Sequence, residues 1–406
     1  MIDKQIFNKS DCMGCYACET VCPQSCINMH DDNEGFWYPE VDYNQCVKCG
    51  QCVSVCPLIN KSSVNNEPVA YACMNNDEEI RLDSSSGGIF TIIAQNLIDV
   101  GGIVFGAAFN EKFEVEHKSV ENHLGLGQLR GSKYLQSRIN DSYWQVKDQL
   151  ISGRKVLFTG TPCQVAGLKS YLGKPFDNLI TMDLICHGVP SPSVWRKYVK
   201  YREQVAGSTA QRIAFRRKNE GWKRYSVSFI FNNDTEYRQT LQNDLYMRAF
   251  LKDLCLRPSC YDCGFKTLHR QSDITLADFW GVENVVPEMD DDLGTSLIWI
   301  NSEKGKETLS QINSKCKIKE VDINQAIQYN PAAMRSASLN HNRELFFKDL
   351  DNTPFDKLVR KYCTDKINKR LLNALRKHMV IVLDLLGAKD KIKSVLKHYK
   401  LTLPKK

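Results

Sequence analysis

The sequence has no apolar run of the roughly 18 residues needed to cross a bilayer. Its first residues, MIDKQIFNKSDC, also lack the apolar stretch of a signal peptide. The expectation is therefore a cytoplasmic chain. Disordered and collagen-like compositions are excluded too, since 42% of the 406 residues are hydrophobic and 25% charged, with 23 Gly and 13 Pro. At roughly 150 residues per domain, two or three domains with buried cores are expected. The body of the chain also lacks a basic excess. The net charge is +7, but residues 355–406 hold fifteen Lys and Arg against four Asp and Glu, which leaves −4 for residues 1–354. Nucleic-acid binding is not expected of that body.

Cysteine is what the chain has in quantity. It carries 17, too few for a secreted disulfide scaffold, and in a cytosolic chain clustered thiols point to metal or redox chemistry. Nine lie before residue 57. There Cys12-Met-Gly-Cys15-Tyr-Ala-Cys18-Glu-Thr-Val-Cys22-Pro23 recurs 34 residues later as Cys46-Val-Lys-Cys49-Gly-Gln-Cys52-Val-Ser-Val-Cys56-Pro57. This C-x2-C-x2-C-x3-C-P run is the pattern of bacterial two-cluster ferredoxins, in which the fourth Cys of each run ligates the other cluster. One [4Fe–4S] cluster is thus expected on Cys12, Cys15, Cys18 and Cys56, and the second on Cys46, Cys49, Cys52 and Cys22. A zinc ribbon needs four ligands and has no use for the doubled register. Cys26 falls outside it and reads as a small buried residue.

After the polar stretch NKSSVNNEP (60–68) the pattern changes to alternating strands and helices. Val69–Met74, Ile103–Phe109, Lys155–Phe158, Leu179–Ile185, Tyr225–Phe231, Ile274–Phe279 and Ser296–Ile300 read as strands, and Ile89–Val100 as a helix. Thr161-Pro162 and Ser191-Pro192 are helix starts, each an N-cap followed by proline. Strand–helix alternation predicts a mixed, partly parallel sheet. Cys163 in Gly160-Thr-Pro-Cys-Gln164 and Cys186 in Asp183-Leu-Ile-Cys-His-Gly188 then fall at the carboxyl ends of neighbouring strands, where sites form in open α/β sheets. Cys260-Tyr-Asp-Cys263 is a ligand-spaced pair with Cys255 nearby. On spacing alone these could also be unrelated buried thiols, and His187 a structural histidine. From about residue 355 the chain becomes basic and helical, with Leu371, Leu372, Leu375, Met379, Val382 and Leu386 on one face. Such a stripe either packs on a domain or partner or lies on an anionic membrane surface as a peripheral contact.

SSSGGIF (84–90), GSKY (131–134), GTPCQ (160–164), LICHG (184–188) and SCYDCGFKTLHRQSDITLADFWG (259–281) resemble the coenzyme F420 hydrogenase/dehydrogenase beta-subunit family. These stretches run in that family's order from Val69 to Ile300. The resemblance implies an FAD-binding α/β domain with a third [4Fe–4S] cluster, held by Cys163, Cys186, Cys260 and Cys263, with Cys255 as rival fourth ligand. It makes Ser86, Gly87, Gly88, Gly131, Ser132, Lys133, Tyr134, Gly281, Gly294, Thr295 and Ser296 candidate FAD contacts, and Lys133 a candidate catalytic group beside flavin or hydride substrate. Ser-Gly-Gly before an apolar helix suits a pyrophosphate, although it also serves as an ordinary cap. Lys133 also reads as a surface lysine. Arg216, Arg217, Lys218, Lys223 and Arg224 around Trp222 suit an anionic ligand or form a solvated loop.

The expected architecture is α/β: a small α+β ferredoxin-like domain (1–60), a mixed, partly parallel α/β flavin domain (69–345) and a basic helical tail (346–406). The implied function is an iron–sulfur flavoprotein oxidoreductase. It would couple hydride exchange at FAD, with coenzyme F420 or another organic substrate, to one-electron transfer with ferredoxin-type carriers or a partner subunit. The alternative is a non-catalytic electron-transfer or accessory subunit of a larger complex, with a link to polysaccharide biosynthesis as in some bacterial relatives.

Overall fold

The computed structural model describes residues 1–62 and 64–364. The N-terminal module is built on one antiparallel hairpin, β1 (Ile27–Asp31) and β2 (Trp37–Val41). Short helices Ala17–Thr20 and Gln51–Ser54 follow the two Cys-rich loops. Its small core contains Ile2, Cys18, Cys26, Ile27, Val41 and Cys52. So few apolar side chains make a weak core for a module of this size, which therefore needs metal or a larger neighbour to hold it.

The larger body is organised around eight strands. They are β3 (Val69–Asn75), β4 (Ile103–Phe109), β5 (Val115–Val120), β6 (Val156–Thr159), β7 (Leu179–Leu184), then β11 (Ile274–Asp278), β12 (Ser296–Ile300) and β13 (Cys316–Val321). Between β7 and β11 the chain makes a separate antiparallel sheet of β8 (Ala210–Arg217), β9 (Ser226–Phe231) and β10 (Glu236–Thr240). The main sheet runs in the order β13-β3-β12-β11-β7-β6-β4-β5. Its centre, β4-β6-β7-β11, is parallel, and both flanks are antiparallel.

The expected mixed, partly parallel sheet is thus present, and the strands read from apolar runs are its central members. Leu157 and Phe158 of β6 are fully buried, as strands covered on both faces require. Tyr225–Phe231, read as a strand, forms in the second sheet as β9, and Asp234 at φ 62 closes the β9–β10 hairpin. Helices Arg343–Leu350 and Phe355–Cys363 pack Phe346, Leu350, Phe355, Leu358 and Val359 into the same aromatic core as Trp195, Phe229 and Tyr246. The stripe on residues 371–386 lies outside the described residues. Among the described residues, no helix is long and apolar enough to cross a membrane.

The parallel centre positions the chemistry. β6 and β7 end side by side, and each hands its chain directly to a cysteine-bearing turn. Thr161 then starts the helix Pro162–Leu172 with a reciprocal capping box, its side chain accepting from the Gln164 backbone while Gln164 Oε1 accepts from the Thr161 N–H at 2.9 Å.

Candidate functional site

The two Cys-rich loops have matching backbones. Gly14 (φ 65) and Lys48 (φ 57) occupy equivalent repeat positions, as do Tyr16 (φ 69) and Gly50 (φ 77). Left-handed turns at these places curl the loop so that its N–H groups face inward, an arrangement that favours a bound anionic group. The Gly14 N–H donates to Cys12 Sγ at 3.4 Å. The thiols group across the copies. Burial first, and then the neighbouring thiols Cys12 and Cys56, pushes Cys15 up to about 12. Cys18 is raised by burial and by Cys15, Cys12 and Cys56. Cys56 therefore shares its surroundings with the first loop, as crossed ligation requires. Cys26 is buried as expected, but not among inert neighbours: its Sγ is 3.3 Å from Cys22 Sγ, and it also interacts with Cys46. Cys49 alone of the eight is exposed, which puts the second loop at the surface.

A second thiol group forms in the α/β body. Cys163, Cys186, Cys260 and Cys263 line one narrow cleft, together with Ser10, Met13 and Leu58 of the N-terminal module. All four are half-buried. Burial pushes Cys260 up to about 12, and its neighbours Cys186 and Cys263 add to the rise. Cys163 is raised by burial and by Cys263, Cys186 and Cys260, against a stabilising contact from Thr161 Oγ1 at 3.0 Å. Donors are aimed at these sulfurs as well, with the Val189 N–H 3.4 Å from Cys260 Sγ. Lys266 and Arg270 also line the cleft, and Lys266 Nζ donates to the Cys186 carbonyl. A single metal ion is not what this set suits, since among the described residues no three His, Cys, Asp or Glu converge on one ion. A cubane holds its four thiolates farther apart, one per iron corner, and four cysteines around one cleft match that chemistry.

Cys255 is not in the cleft. It is fully buried in the aromatic core, beside Tyr246 and Cys363. Cys260, in the turn Pro258–Cys260, lines the cleft as well as packing against that core, and Cys255 does not line it. His187 pairs with Asp253 at 2.6 Å, as a structural histidine would.

The cleft and the module meet closely. Gly167 lies one turn into the helix that begins at Pro162, and a Cβ there would come within 2.9 Å of Cys15 Cβ. A glycine at this point lets the first cluster loop rest directly on the helix that bears Cys163. The seam is fastened by the buried bidentate pair of Arg343 with Glu34, at 2.8 and 2.6 Å.

The candidate flavin residues converge elsewhere on the same sheet edge. Ser86 Oγ donates to the Thr295 carbonyl at 2.8 Å, the Gly87 N–H donates to Ser296 Oγ at 2.9 Å, and the Ser132 N–H donates to Ser85 Oγ at 2.7 Å. Gly88 caps the helix Ile89–Asp99, and Gly294 borders Lys218. Gly131 stands in open space, whereas Gly281 packs on Tyr329. Tyr134 stacks on Phe250, and its hydroxyl accepts from Arg216 at 2.9 Å. Arg216 also pairs with Asp278 at 2.7 Å, and its Nε is buried without a partner. Trp222 stacks on Trp280 at 4.8 Å. Lys133 Nζ donates to the carbonyls of Gln128, Leu129 and Arg130, closing the end of the helix His123–Leu129, and burial lowers its pKa to about 7. Lys218, also lowered to about 7 by burial and by Arg216, is held by the carbonyls of Arg81, Ser86 and Leu293. Arg217, Lys223 and Arg224 are on the outer side, in ion pairs with Asp83, Asp290 and Glu220.

Comparison with known proteins bears on both halves. Residues 153–326 match the family model for the C terminus of the coenzyme F420 hydrogenase/dehydrogenase beta subunit, and residues 11–58 match the 4Fe-4S dicluster domain. The chain thus joins a dicluster module to a domain of the coenzyme F420 hydrogenase/dehydrogenase beta-subunit type. The dicluster module has relatives of its own. It is 41% identical over 56 residues to NADH-quinone oxidoreductase subunit I 2 of Geobacter metallireducens, covering 13% of this chain and 43% of that protein. It is 31% identical over 64 residues to ketoisovalerate oxidoreductase subunit VorC of Methanothermobacter marburgensis, covering 15% of this chain and 81% of that one. The chain spans less than half the length of the NADH-quinone oxidoreductase subunits it matches. A chain of the F420-reducing [NiFe] hydrogenase complex from Methanosarcina barkeri aligns with a TM-score of 0.43 and 18% identity, over 75% of this chain and 95% of that chain. Together the two matched domains mark an iron–sulfur, oxidoreductase-type electron-transfer chain.

Sequence reasoning missed the residues of the seam. Arg257, Glu34 and Arg343 carried no motif, and Glu34 and Arg343 lie in polar stretches where a charge is unremarkable.

Proposed function

We propose that this protein is an electron-transferring iron–sulfur oxidoreductase subunit with three [4Fe–4S] clusters in series. Two lie in the dicluster module, and the third is held by Cys163, Cys186, Cys260 and Cys263. One observation carries this reading: four thiols from three separate segments share a cleft that Met13 of the module's first cluster loop also lines. Clusters so arranged would pass single electrons between the interior and the exposed loop at Cys49, where a ferredoxin-type carrier or partner subunit would exchange them.

We further propose that FAD binds where the 84–88, 131–134 and 294–296 loops meet. The fit rests on the unpartnered Arg216 Nε and on the loop ends gathered at one sheet edge. Flavin, when bound, supplies the exchange between hydride and single electrons. Ser86, Gly88 and Ser132 would border it, Arg216 and Lys218 would offset its negative charge, and Lys133 would stay fixed at the helix end. Coenzyme F420 is the hydride partner suggested by the family.

The second reading, a relay subunit without its own hydride chemistry, is favoured by the same loops. Their polar atoms already satisfy one another, so no flavin is needed to hold them. Anaerobic purification with flavin analysis, followed by addition of reduced deazaflavin or nicotinamide, separates the two. FAD at about one per chain and bleaching of the clusters by a hydride donor supports the oxidoreductase. Clusters that bleach only with ferredoxin or dithionite, with no flavin bound, support the relay.

A further inference from the structure

Arg257 is fully buried at the seam between module and body. Its Nε donates to the Cys12 carbonyl at 2.9 Å, Nη2 to the Trp37 carbonyl at 2.9 Å and Nη1 to Gln136 Oε1 at 3.1 Å. The guanidinium lies 4.2 Å from the centre of the Tyr38 ring. Gly14, at φ 65, is the residue that lets it in, since a Cβ there would fall 2.9 Å from Nη1.

Every one of those acceptors is neutral. Three other buried arginines of the body do pair closely with carboxylates, Arg81 with Asp291, Arg216 with Asp278 and Arg343 with Glu34, while Arg202 donates to the Tyr198 hydroxyl. Among the described residues Arg257 forms no ion pair with a carboxylate. A guanidinium stripped of water and left without a counter-charge is strongly disfavoured, so a negative group must complete it. The backbone shows where. On one side Arg257 holds the carbonyl of Cys12. On the other its own carbonyl accepts from the Cys260 N–H at 2.9 Å, at the start of the turn that delivers Cys260 to the cleft. Its positive charge is felt at the Cys260 sulfur.

We infer that Arg257 is a positioning residue and the counter-cation shared by the two inner clusters, those on Cys12–Cys15–Cys18–Cys56 and on Cys163–Cys186–Cys260–Cys263. This rests on the three-cluster reading for its second half and on the dicluster module alone for its first. A thiolate-ligated cubane is anionic and gains one further negative charge on reduction. A fixed buried cation therefore favours the reduced form and raises the potential. The same guanidinium ties the module's loop to the body, so docking and potential are set together. The cluster on Cys46, Cys49, Cys52 and Cys22, ligated from the exposed loop, lies outside its contacts.

The test is an anaerobic redox titration of the holoprotein, following each cluster by electron paramagnetic resonance and measuring iron per chain. Arg257→Gln removes the charge and should move both inner potentials to more negative values while the outer one stays in place. Arg257→Lys keeps the charge and should stay near the wild type, although it cannot reach all three acceptors. If the glutamine variant does not fold, Gln136→Glu keeps the arginine and gives it a carboxylate partner, and the same two potentials should fall. Folded, fully loaded variants with unmoved inner potentials, or with all three moved equally, overturn the inference. An iron count of eight in the wild type refutes the third cluster separately. In that case a fall at the Cys12-bearing cluster still supports Arg257 as its counter-cation, and no fall overturns it.

Discussion

Two groups of thiols in this chain are assembled by opposite means. In the module, the eight cysteines of the two repeat runs are placed by local turns, repeated in the same left-handed positions in both copies. In the body, Cys163, Cys186, Cys260 and Cys263 are placed by sheet order. β6 and β7 end side by side, and the chain then crosses a whole second sheet before returning with the last pair. Local assembly writes a spacing into the sequence, whereas assembly by topology writes one only for Cys260 and Cys263. The two also differ in access. The module presents Cys49 to solvent, and the cleft's half-buried cysteines lie between module and body. The proposed outer port and inner relay rest on that difference.

The comparison breaks most severely at Cys260. Cys260→Ala should remove about four irons while the module keeps its pair, and should halt electron passage from the body to the outer clusters. Cys255→Ala, in the aromatic core, should keep all its iron. Iron analysis of the two variants side by side checks both. Next in size is Cys22→Ala, which should damage the cluster on Cys46, Cys49 and Cys52 and spare the one on the neighbouring Cys12 loop, as read by cluster spectroscopy. Loss of the Cys12 cluster would mean that ligation is not crossed.

Glu34→Gln tests the fastening of one region to the other. It leaves Arg343 buried without its carboxylate, a loss of about 3–5 kcal/mol. Denaturant unfolding should show it, and cleavage or iron loss should begin in the module. The smallest expected effect is on pH dependence in the body alone. His117 is buried between Ser137 Oγ at 2.8 Å and the Thr159 carbonyl at 3.0 Å, and burial lowers its pKa to about 4 from 6.5. The unfolded chain then binds the proton more readily. Stability from this group is complete above the unfolded value and falls as pH drops from about 6.5 towards 4, by on the order of 3 kcal/mol. His117→Gln should flatten that part of the stability-against-pH curve relative to the wild type.

The parts legible in the sequence are those where local chemistry decides. Thr161-Pro162 announces a helix start because its cap and its proline act within one turn, and so it locates Cys163. Buried strands such as Val156–Thr159 are legible as continuous apolar runs. Edge strands are not: Val115–Val120 reads VEHKSV and Cys316–Val321 reads CKIKEV, since one face and one edge of each meet water. Candidate flavin glycines show a different limit. Gly87 and Gly281 are explained by close packing against Ser296 and Tyr329, so a glycine that suits a ligand can serve the chain itself. Arg257 is illegible for a third reason. An arginine reads as surface until the module is docked over it, and nothing nearby in sequence records the docking.

Iron content of the anaerobically reconstituted chain, counted cluster by cluster, tests the central claim most directly. Three cubanes predict about twelve irons per chain, falling to about eight in Cys260→Ala with both module signals intact. About eight irons in the wild type, unchanged in that variant, would contradict the inner relay.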